Sequence, residues 1–428
     1  MEAKDNHKSI FVYAQWVGMK DPICMGELRS EYTRGKEIFS FSYSDIWLKS
    51  NYSQILDPEL QFYSGSQYAR DEKLNFGLFL DSSPDRWGRL LMRRREAALA
   101  GSEKRSESTL RESDYLLGVF DGHRMGALRF KEDPDGPFLN NNEYLASPPW
   151  TSIRELEQIS LKLEDDEAIH DPDYYKWLMM LVNPGSSLGG ARPKAGVSDN
   201  EKRLWIAKFP SKTDNKDVGG WEMVANDLAR TAGINVAESK IQKFSSNHHT
   251  FLTKRFDRTA KGERIHYASA MTMLGYTDST DFHDGASYLE IADFLTNHGA
   301  NIKSDLSELW RRIVFNVFVS NTDDHLRNHG FILTDRGWIL SPAFDINPNE
   351  DGTGLSLNIS LDDNSLNLNV PLEVAEYFRL TRERGLKIID QIKRSVSRWR
   401  NVANMYQLLK SEQELMAKVF ERFLKDLL

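Results

Sequence analysis

The alternation of hydrophobic and polar residues predicts short strands and one long helix in the first third of the chain. Between residues 9 and 130, the runs FVYAQWVG and EIFSFSYS have the pattern of strands. The stretch DRWGRLLMRRREAALA has the period of a helix, with Ser82 or Ser83 as its N-cap, Pro84 in its first turn and Gly101 as its stop signal. This pattern predicts an α+β module.

A change of pattern follows between residues 131 and 149, where Pro, Gly, Asn and Asp gather without periodicity, as is typical of a connection between domains. Beyond it, TSIRELEQISLKLEDDEA and YYKWLMMLV have helical spacing, while RLWIAKFPS, KIQKFSS and HTFLTKRFDR have the pattern of strands. WEMVANDLARTAGI is predicted to be a helix that ends at Gly233, and helical periodicity dominates from Ser304 onward. The sequence therefore predicts a β-rich part followed by a helical part.

Composition narrows the class of protein. The length of 428 residues allows two or three domains. The single cysteine, Cys24, excludes an intramolecular disulfide and a multi-cysteine zinc site, and it favours a reducing cytoplasm. The net charge of -8 means that any contact with nucleic acid needs a local basic face. Since no signal peptide and no membrane-length apolar run occurs, we expect a soluble, cytoplasmic protein without membrane contact.

A glycine-rich segment, NPGSSLGGARPKA, precedes the predicted strand WIAKFP. Glycines allow consecutive backbone N–H groups to converge on one anion, because no Cβ blocks the approach. The candidate phosphate-contacting residues are Gly189, Gly190 and Lys194. The segment is not a Walker loop, and taken alone a surface loop without a ligand is the more frequent outcome. Phosphate binding is one of two hypotheses at this point.

Lys208 lies inside the strand that follows the glycines. Kinases carry a strand lysine there, which neutralises phosphate charge of the nucleotide and is held by a glutamate on the next helix. Glu222, at the start of WEMVANDLAR, is the candidate partner. Each residue alone would more often be an exposed lysine or a glutamate favoured by a helix dipole.

The most informative segment is VSNTDDHLRNHGFILTDRGWILSPAFDINPN, which predicts a helix ending near Ser320, a polar loop, a hairpin around DRG and a second polar loop. Asp323 and Asn328 have the D-x-x-x-x-N spacing of a kinase catalytic loop, and Asp345 follows the hairpin. Because a hairpin brings its two ends together, we expect these oxygen donors to converge on Mg²⁺. Asx-rich turns would explain either loop alone. Combined with the glycine segment and the strand lysine, the pattern favours nucleotide chemistry.

These motifs, in this order, resemble the HipA-type toxin kinases of bacterial toxin–antitoxin modules, and the resemblance spans most of the chain. It implies a kinase-like bilobal fold with a β-rich N-lobe, a helical C-lobe and a small N-terminal α/β module. The implied domains are residues 1–130, 150–258 and 259–428. The resemblance also implies ATP and Mg²⁺ as cofactors and serine/threonine phosphorylation of a protein, with aminoacyl-tRNA synthetases among the family's targets. A helix-turn-helix antitoxin of HipB type would be the partner, and DNA would be contacted only through it.

The resemblance further implies roles for individual residues. Asp323 would be the catalytic aspartate, Asn328 and Asp345 the metal ligands, Lys208 the phosphate-contacting lysine held by Glu222, and His325 a histidine near the nucleotide. The backbone of Lys254 and Phe256 would meet adenine, Asp257 would lie nearer the ribose, and Ser187, or else Ser186, would be autophosphorylated in the glycine-rich loop.

Several departures from the family pattern leave the target and the toxicity open. Thr322 stands where other kinases carry an arginine before the catalytic aspartate, FDIN replaces DFG, and the helix motif DRWGR suggests a divergent branch. A small-molecule kinase and a nucleotide-binding corepressor or scaffold remain alternatives. Five arginines between residues 86 and 95 are interpreted as a solvated helix face with salt bridges in preference to a DNA-binding surface.

Overall fold

The computed structural model describes residues 7–141, 148–182, 190 and 192–424. The chain divides into two compact units. Unit 1 comprises Met1–Ser211 and Asp257–Ala268, and unit 2 comprises Lys212–Phe256 and Ser269–Leu428. The three-domain division expected from the sequence stays a prediction. Among the described residues, no helix has the length and apolar character needed to cross a membrane.

Unit 1 begins with an antiparallel sheet of five strands in the order β4-β3-β2-β1-β5. Alternate residues of β1 and β3 are buried, as expected for strands with one face on a core. Phe41 and Phe79 pack at a ring-centroid distance of 5.5 Å beneath the sheet. The strands are β1 (His7–Ala14), β2 (Ile23–Thr33), β3 (Lys36–Tyr43), β4 (Gln67–Tyr68) and β5 (Leu128–Lys131).

Four helices accompany this sheet: α1 (Asp45–Leu48), α2 (Gly77–Leu80), α3 (Arg86–Glu103) and α4 (Glu112–Gly118). The long helix predicted from the sequence is α3, but the prediction of its N-cap was wrong. Asp85 is the cap, because its carboxylate accepts a hydrogen bond from Gly88 N at 2.8 Å. The helix also continues through Gly101 and ends at Lys104, which has a left-handed φ of 53°.

Two arginines of α3 are engaged by other groups of the protein. Arg89 makes a bidentate salt bridge with Glu112 at 2.5 and 2.7 Å, and Arg94 donates to Leu163 O at 2.6 Å. The expected salt bridge is thus present at Arg89, whereas Arg94 is bound by a backbone oxygen.

The second part of unit 1 contains α5 (Ile153–Leu163), α6 (Tyr174–Val182), β6 (Lys194–Ser198) and β7 (Leu204–Lys208). β6 and β7 form an antiparallel hairpin in which Lys194 pairs with Lys208. The strand predicted over WIAKFP is therefore β7. Trp205 on β7 is 2% exposed and packs edge-on against Trp150, with ring centroids 5.5 Å apart.

Unit 2 is largely helical, and its last part agrees with the helical periodicity predicted from Ser304 onward. Its core includes an aromatic stack in which Trp399 and Phe420 lie 5.1 Å apart and Trp221 packs against both. β10 (Tyr267–Ser269) lies where the chain passes from unit 1 to unit 2. The elements of unit 2 are α7 (Val218–Thr231), β8 (Ser239–Gln242), β9 (Thr250–Lys254), α8 (Ala270–Met273), α9 (Tyr288–His298), α10 (Ile302–Val319), β11 (Gly330–Thr334), β12 (Gly337–Leu340), α11 (Asn369–Glu373), α12 (Arg382–Val396), α13 (Trp399–Met405) and α14 (Lys410–Phe420).

The centre of unit 2 is α10, which is buried along most of its length. The helix ends at Ser320 in the left-handed conformation, with φ of 52°, and so sends the chain sharply into the polar loop that follows. β11 and β12 then form the hairpin predicted from the sequence, with Thr334 paired to Gly337 across the turn. The helix–loop–hairpin–loop order is confirmed.

Candidate active site

The first loop of the site lies between α10 and β11 and brings Asp323 and Asn328 together. The Asn328 side-chain amide donates to Asp323 O at 2.9 Å, and His325 N donates to the same carbonyl oxygen at 3.0 Å. Asp323 is exposed, whereas Asn328 is 5% exposed. The loop therefore fixes the backbone of Asp323 while its carboxylate stays accessible.

The second loop follows β12 and carries Asp345. Asp345 has a left-handed φ of 58°, a conformation in which Asp and Asn are enriched among residues other than glycine. The side-chain amide of Asn347 donates to Asp345 Oδ1 at 2.6 Å. This bond holds the carboxylate in a defined orientation.

The two loops are joined by direct hydrogen bonds. Asn349 N donates to Ser320 O at 3.0 Å, and the Asn349 side chain donates to Thr322 Oγ1 at 2.9 Å. Asn347 N donates to the side-chain oxygen of Asn321 at 3.0 Å. The expectation that the hairpin returns the second loop to the first is thus confirmed, and it explains why both loops are rich in asparagine. The metal-ligand roles of Asn328 and Asp345 stay predictions.

Beneath the first loop lies a buried hydrogen-bond network centred on Asp324, which the sequence reasoning missed. Asp324 Oδ2 accepts hydrogen bonds from the Tyr288 hydroxyl at 2.6 Å, the Asn316 amide at 2.7 Å and His329 Nε2 at 2.8 Å. Asp324 is 4% exposed. The aspartate doublet was visible in the sequence, but which carboxylate points inward depends on the turn after α10.

The charge of Asp324 is stabilised where it is buried. Burial alone would raise the pKa of the Asp324 carboxyl. The charge of His329 and the hydrogen bonds from His329 and the Tyr288 hydroxyl outweigh the effect of burial, so this pKa is lowered. The pKa of Tyr288 is raised, by burial first and then by the neighbouring carboxylate. Because Asp324 and His329 directly adjoin Asp323 and Asn328 in the chain, this network fixes the loop that carries them.

Two residues predicted to meet adenine also belong to unit 2. Lys254 N donates to Glu238 O at 2.8 Å, and its ammonium group lies 2.9 Å from Glu238 Oε2. The ring of Phe256 packs against Phe344 with centroids 5.6 Å apart. Since Phe344 directly precedes Asp345, the end of the predicted adenine-binding segment lies beside the second loop.

In unit 1, the predicted phosphate contact Lys194 is held by a buried carboxylate. Its ammonium group lies 2.8 Å from Asp85 Oδ2, with side chains 3% and 2% exposed, and 3.2 Å from Gly190 O. Trp87 Nε1 donates to Lys194 O at 3.0 Å. Gly190 has φ of 90°, which a residue with a Cβ rarely adopts. The structure thus ties Lys194 to the N-terminus of α3, whereas Gly189, Ser186 and Ser187 lie outside the described residues.

Asp257, predicted to lie near the ribose, is fully buried in unit 1. Its Oδ2 accepts hydrogen bonds from Gly126 N at 2.9 Å and from the Arg258 guanidinium at 2.6 Å. Arg258 also donates to Arg124 O at 2.8 Å. This carboxylate therefore anchors the segment 257–268 to the N-terminal module, and a ribose contact would require it to leave that network.

The remaining predicted residues are divided between the units. Lys208 lies on β7 in unit 1 and is partly exposed, whereas Glu222 lies on α7 in unit 2 and is 3% exposed. Their pairing stays a prediction. His325 lies in the first loop of the site.

The chemistry of the donors near Asp323 fits Mg²⁺, which prefers oxygen ligands and only one or two carboxylates. The Asn328 amide uses its nitrogen for the bond to Asp323 O, which leaves its oxygen as the ligand atom. Asp345 supplies a carboxylate. No group of three or more His, Cys, Asp or Glu side chains that could hold a metal ion occurs in the described ranges.

A family model described as the HipA-like C-terminal domain matches residues 186–399, which is half of the chain and includes both loops of the site. The chain belongs to the HipA family. An inferred kinase of Haemophilus influenzae is 27% identical over 179 residues, and the serine/threonine-protein kinase toxin HipA of Shewanella oneidensis is 24% identical over 225 residues. These matches cover 38% and 46% of this chain and 52% of each relative. The alignments therefore span about half the length of these relatives.

The HipA fold extends over nearly the whole chain. The structure of the HipA toxin of Shewanella oneidensis MR-1, solved with HipB and its operator DNA, matches with a TM-score of 0.68. The match covers 97% of this chain and 96% of that one at 19% sequence identity. The expected α+β, kinase-like fold class is thereby confirmed.

Proposed function

We propose that this chain is an ATP- and Mg²⁺-dependent serine/threonine protein kinase of the HipA toxin type. The observation that carries the proposal is the set of hydrogen bonds joining the two loops, because they place Asp345 beside the loop of Asp323 and Asn328. Family membership and relatives named as kinases support the same activity.

Each residue of the loops has a defined part in this proposal. Asp323, exposed on a fixed backbone, accepts the proton of the acceptor hydroxyl and orients that hydroxyl toward the γ-phosphate. Asn328 and Asp345 hold the metal, which when bound neutralises charge on the β- and γ-phosphates. Lys208, steadied by Glu222, contacts the phosphates, and His325 lies near the nucleotide.

The proposal continues into the glycine-rich segment and the partner. Gly189 and Gly190 supply backbone N–H groups to phosphate, and Ser187, or else Ser186, becomes autophosphorylated. Lys194 acts through Asp85 by positioning this segment, since its ammonium group is already paired. By analogy with the Shewanella complex, the partner is a HipB-type helix-turn-helix antitoxin, and DNA is reached through it. The substrate is a cytoplasmic protein such as an aminoacyl-tRNA synthetase.

Incubation with Mg²⁺ and ATP labelled at its γ-phosphate tests the activity. We expect self-labelling that is lost in Asp323→Ala and Asp345→Ala and kept in Asp335→Asn, a matched control in the hairpin turn between the two loops. Mass spectrometry of Ser187→Ala and Ser186→Ala identifies the modified serine. Label that appears only on an added metabolite would indicate a small-molecule kinase. Nucleotide binding without any label transfer would indicate a corepressor or scaffold.

A further inference from the structure

Unit 2 contains a groove between α10 and α12 that the proposed kinase site does not use. A cavity of about 860 Å³ opens at the beginning of both helices and is lined by Lys303, Ser307 and Arg384, among other residues. Two further cavities, of about 490 and 270 Å³, follow along α12 and share Arg398. We refer to these three cavities together as the α10–α12 groove.

The middle of the groove is fixed by Arg311, which bridges three helices. Its guanidinium donates to Gln391 Oε1 on α12 at 3.0 Å and to Ala232 O, at the end of α7, at 2.7 Å. Ser307 lines the first cavity and Arg311 lines the second, and because they are one turn apart on α10 the two cavities are neighbours. The second and third cavities adjoin, since Thr231, Ser395 and Arg398 line both of them.

Positive charge in the groove is not balanced by the surrounding residues. Lys303, Arg384 and Arg398 are exposed and make no ion pair within the part of the chain that the structure describes. Burial lowers the pKa of Arg311, Glu308 opposes this effect, and the positive charge of Arg384 lowers the pKa further. The like charges of Arg311 and Arg384 thus repel each other across facing helices, and an anionic ligand between them would reduce this repulsion.

The acidic residues near the groove do not supply that anion. Asp227 pairs with Arg230 at 2.7 Å, and Asp390 pairs with Arg394 at 2.5 Å. Each of these carboxylates thus neutralises its own arginine, so Lys303, Arg384 and Arg398 remain as net positive charge.

Apolar side chains lie between these charges. Ile302 and Leu380 line the first cavity, and Leu228, Val402 and Met405 line the third. Met405 is 61% exposed. The groove thus presents apolar side chains in its first and third cavities and cations in all three.

We propose that the α10–α12 groove binds an extended acidic segment of a partner protein, with apolar side chains between its carboxylates. From Arg384 to Val396 the rise of α12 gives roughly 18 Å, and Arg398 lies two residues beyond the end of the helix, so the groove matches the length of about six extended residues. Charge complementarity favours an acidic ligand, and the apolar floor favours a peptide over a phosphodiester chain. Among the described residues that line the groove there is no aromatic side chain for stacking on bases, and duplex DNA is read by elements that project into its grooves and not by a concavity.

The test uses the full chain and fluorescence anisotropy with a labelled peptide of Asp-Leu-Glu repeats, about nine residues long. The groove variant carries Lys303→Gln, Arg384→Gln and Arg398→Gln. We expect it to bind the peptide about tenfold more weakly than wild type, because three exposed ion pairs are removed. We also expect wild-type binding to weaken as salt is raised.

The matched control carries Arg382→Gln, Lys387→Gln and Lys393→Gln, which remove the same charge from α12 outside the groove. We expect it to bind the peptide as wild type does. Three outcomes would each overturn the proposal. The first is an equal loss of peptide affinity in the two variants, and the second is no preference for the acidic peptide over one of Lys-Leu-Arg repeats. The third is tighter binding of a single-stranded oligonucleotide of the same length. Because none of the substituted residues belongs to the kinase proposal, nucleotide binding by both variants is expected to stay unchanged, and the two proposals can fail independently.

Discussion

Replacing Asp324 by asparagine tests whether the buried network supports the catalytic loop. The carboxylate accepts three hydrogen bonds at 2.6, 2.7 and 2.8 Å and is 4% exposed. A hydrogen bond to a buried charge contributes roughly 1.5–3 kcal/mol and a neutral one roughly 0.5–1.5 kcal/mol. Asp324→Asn lowers each of the three by about 1 kcal/mol, so the free energy of unfolding of unit 2 should fall by about 3 kcal/mol.

The same substitution should also change how the stability of unit 2 depends on pH. Since the pKa of Asp324 is lower in the folded protein than in the unfolded chain, its contribution is fully present above the unfolded value, about 3.9, and is lost as pH falls through the folded value. Wild-type unit 2 should therefore lose stability in this acidic range. Asp324→Asn should lose less over the same range, because the amide does not titrate.

Urea unfolding at neutral pH and between pH 5 and 3 measures both effects, with label transfer from ATP as a second readout. Asp335→Asn in the hairpin turn is the control, because its side chain is exposed. We expect Asp324→Asn to lower phosphotransfer, since the backbone of Asp323 is no longer held by its neighbour. A variant as stable as wild type within about 0.5 kcal/mol, with the same acid sensitivity, would refute the reasoning.

Three further changes are informative. Asp345→Asn should abolish label transfer from ATP. It should leave the unfolding midpoint near that of wild type, because the side-chain amide of Asn347 can still donate to the new amide oxygen. Retained label transfer would exclude a metal-ligand role for Asp345. Asp85→Asn keeps the N-cap but removes the carboxylate that pairs with the buried Lys194 ammonium group, so the free energy of unfolding of unit 1 should fall by about 3–5 kcal/mol. Adding Lys194→Met should restore much of this loss, and urea unfolding measures both variants. Burial lowers the pKa of His266 to about 3, so unit 1 should lose stability as pH falls below about 6.5, where His266 becomes protonated in the unfolded chain but not in the folded protein. His266→Phe should reduce this loss of stability in thermal unfolding. An unchanged dependence of the unfolding temperature on acid pH would contradict this prediction.

The elements of the site could be predicted from the sequence because they depend on local patterns. The hairpin around DRG follows from strand alternation and turn chemistry, and the D-x-x-x-x-N spacing is visible in the letters alone. The meeting of the two loops follows from the hairpin that joins them, and the bond from Asn349 to Thr322 agrees with it. The N-cap of α3 was misplaced, because three of the four residues from Ser82 to Asp85 are suited to capping and only the backbone shows which carboxylate or hydroxyl reaches the first turn.

What the sequence by itself determined is therefore the order of elements, the family resemblance and the spacing of the catalytic loop. Only the tertiary structure decided which polar side chains face inward, because burial and pairing arise between residues far apart in the chain. Asp324 joins Tyr288 across 36 positions, and Lys194 joins Asp85 across 109. The same reason explains the α10–α12 groove: its arginines are separate charges on two amphipathic helices until packing brings those helices side by side.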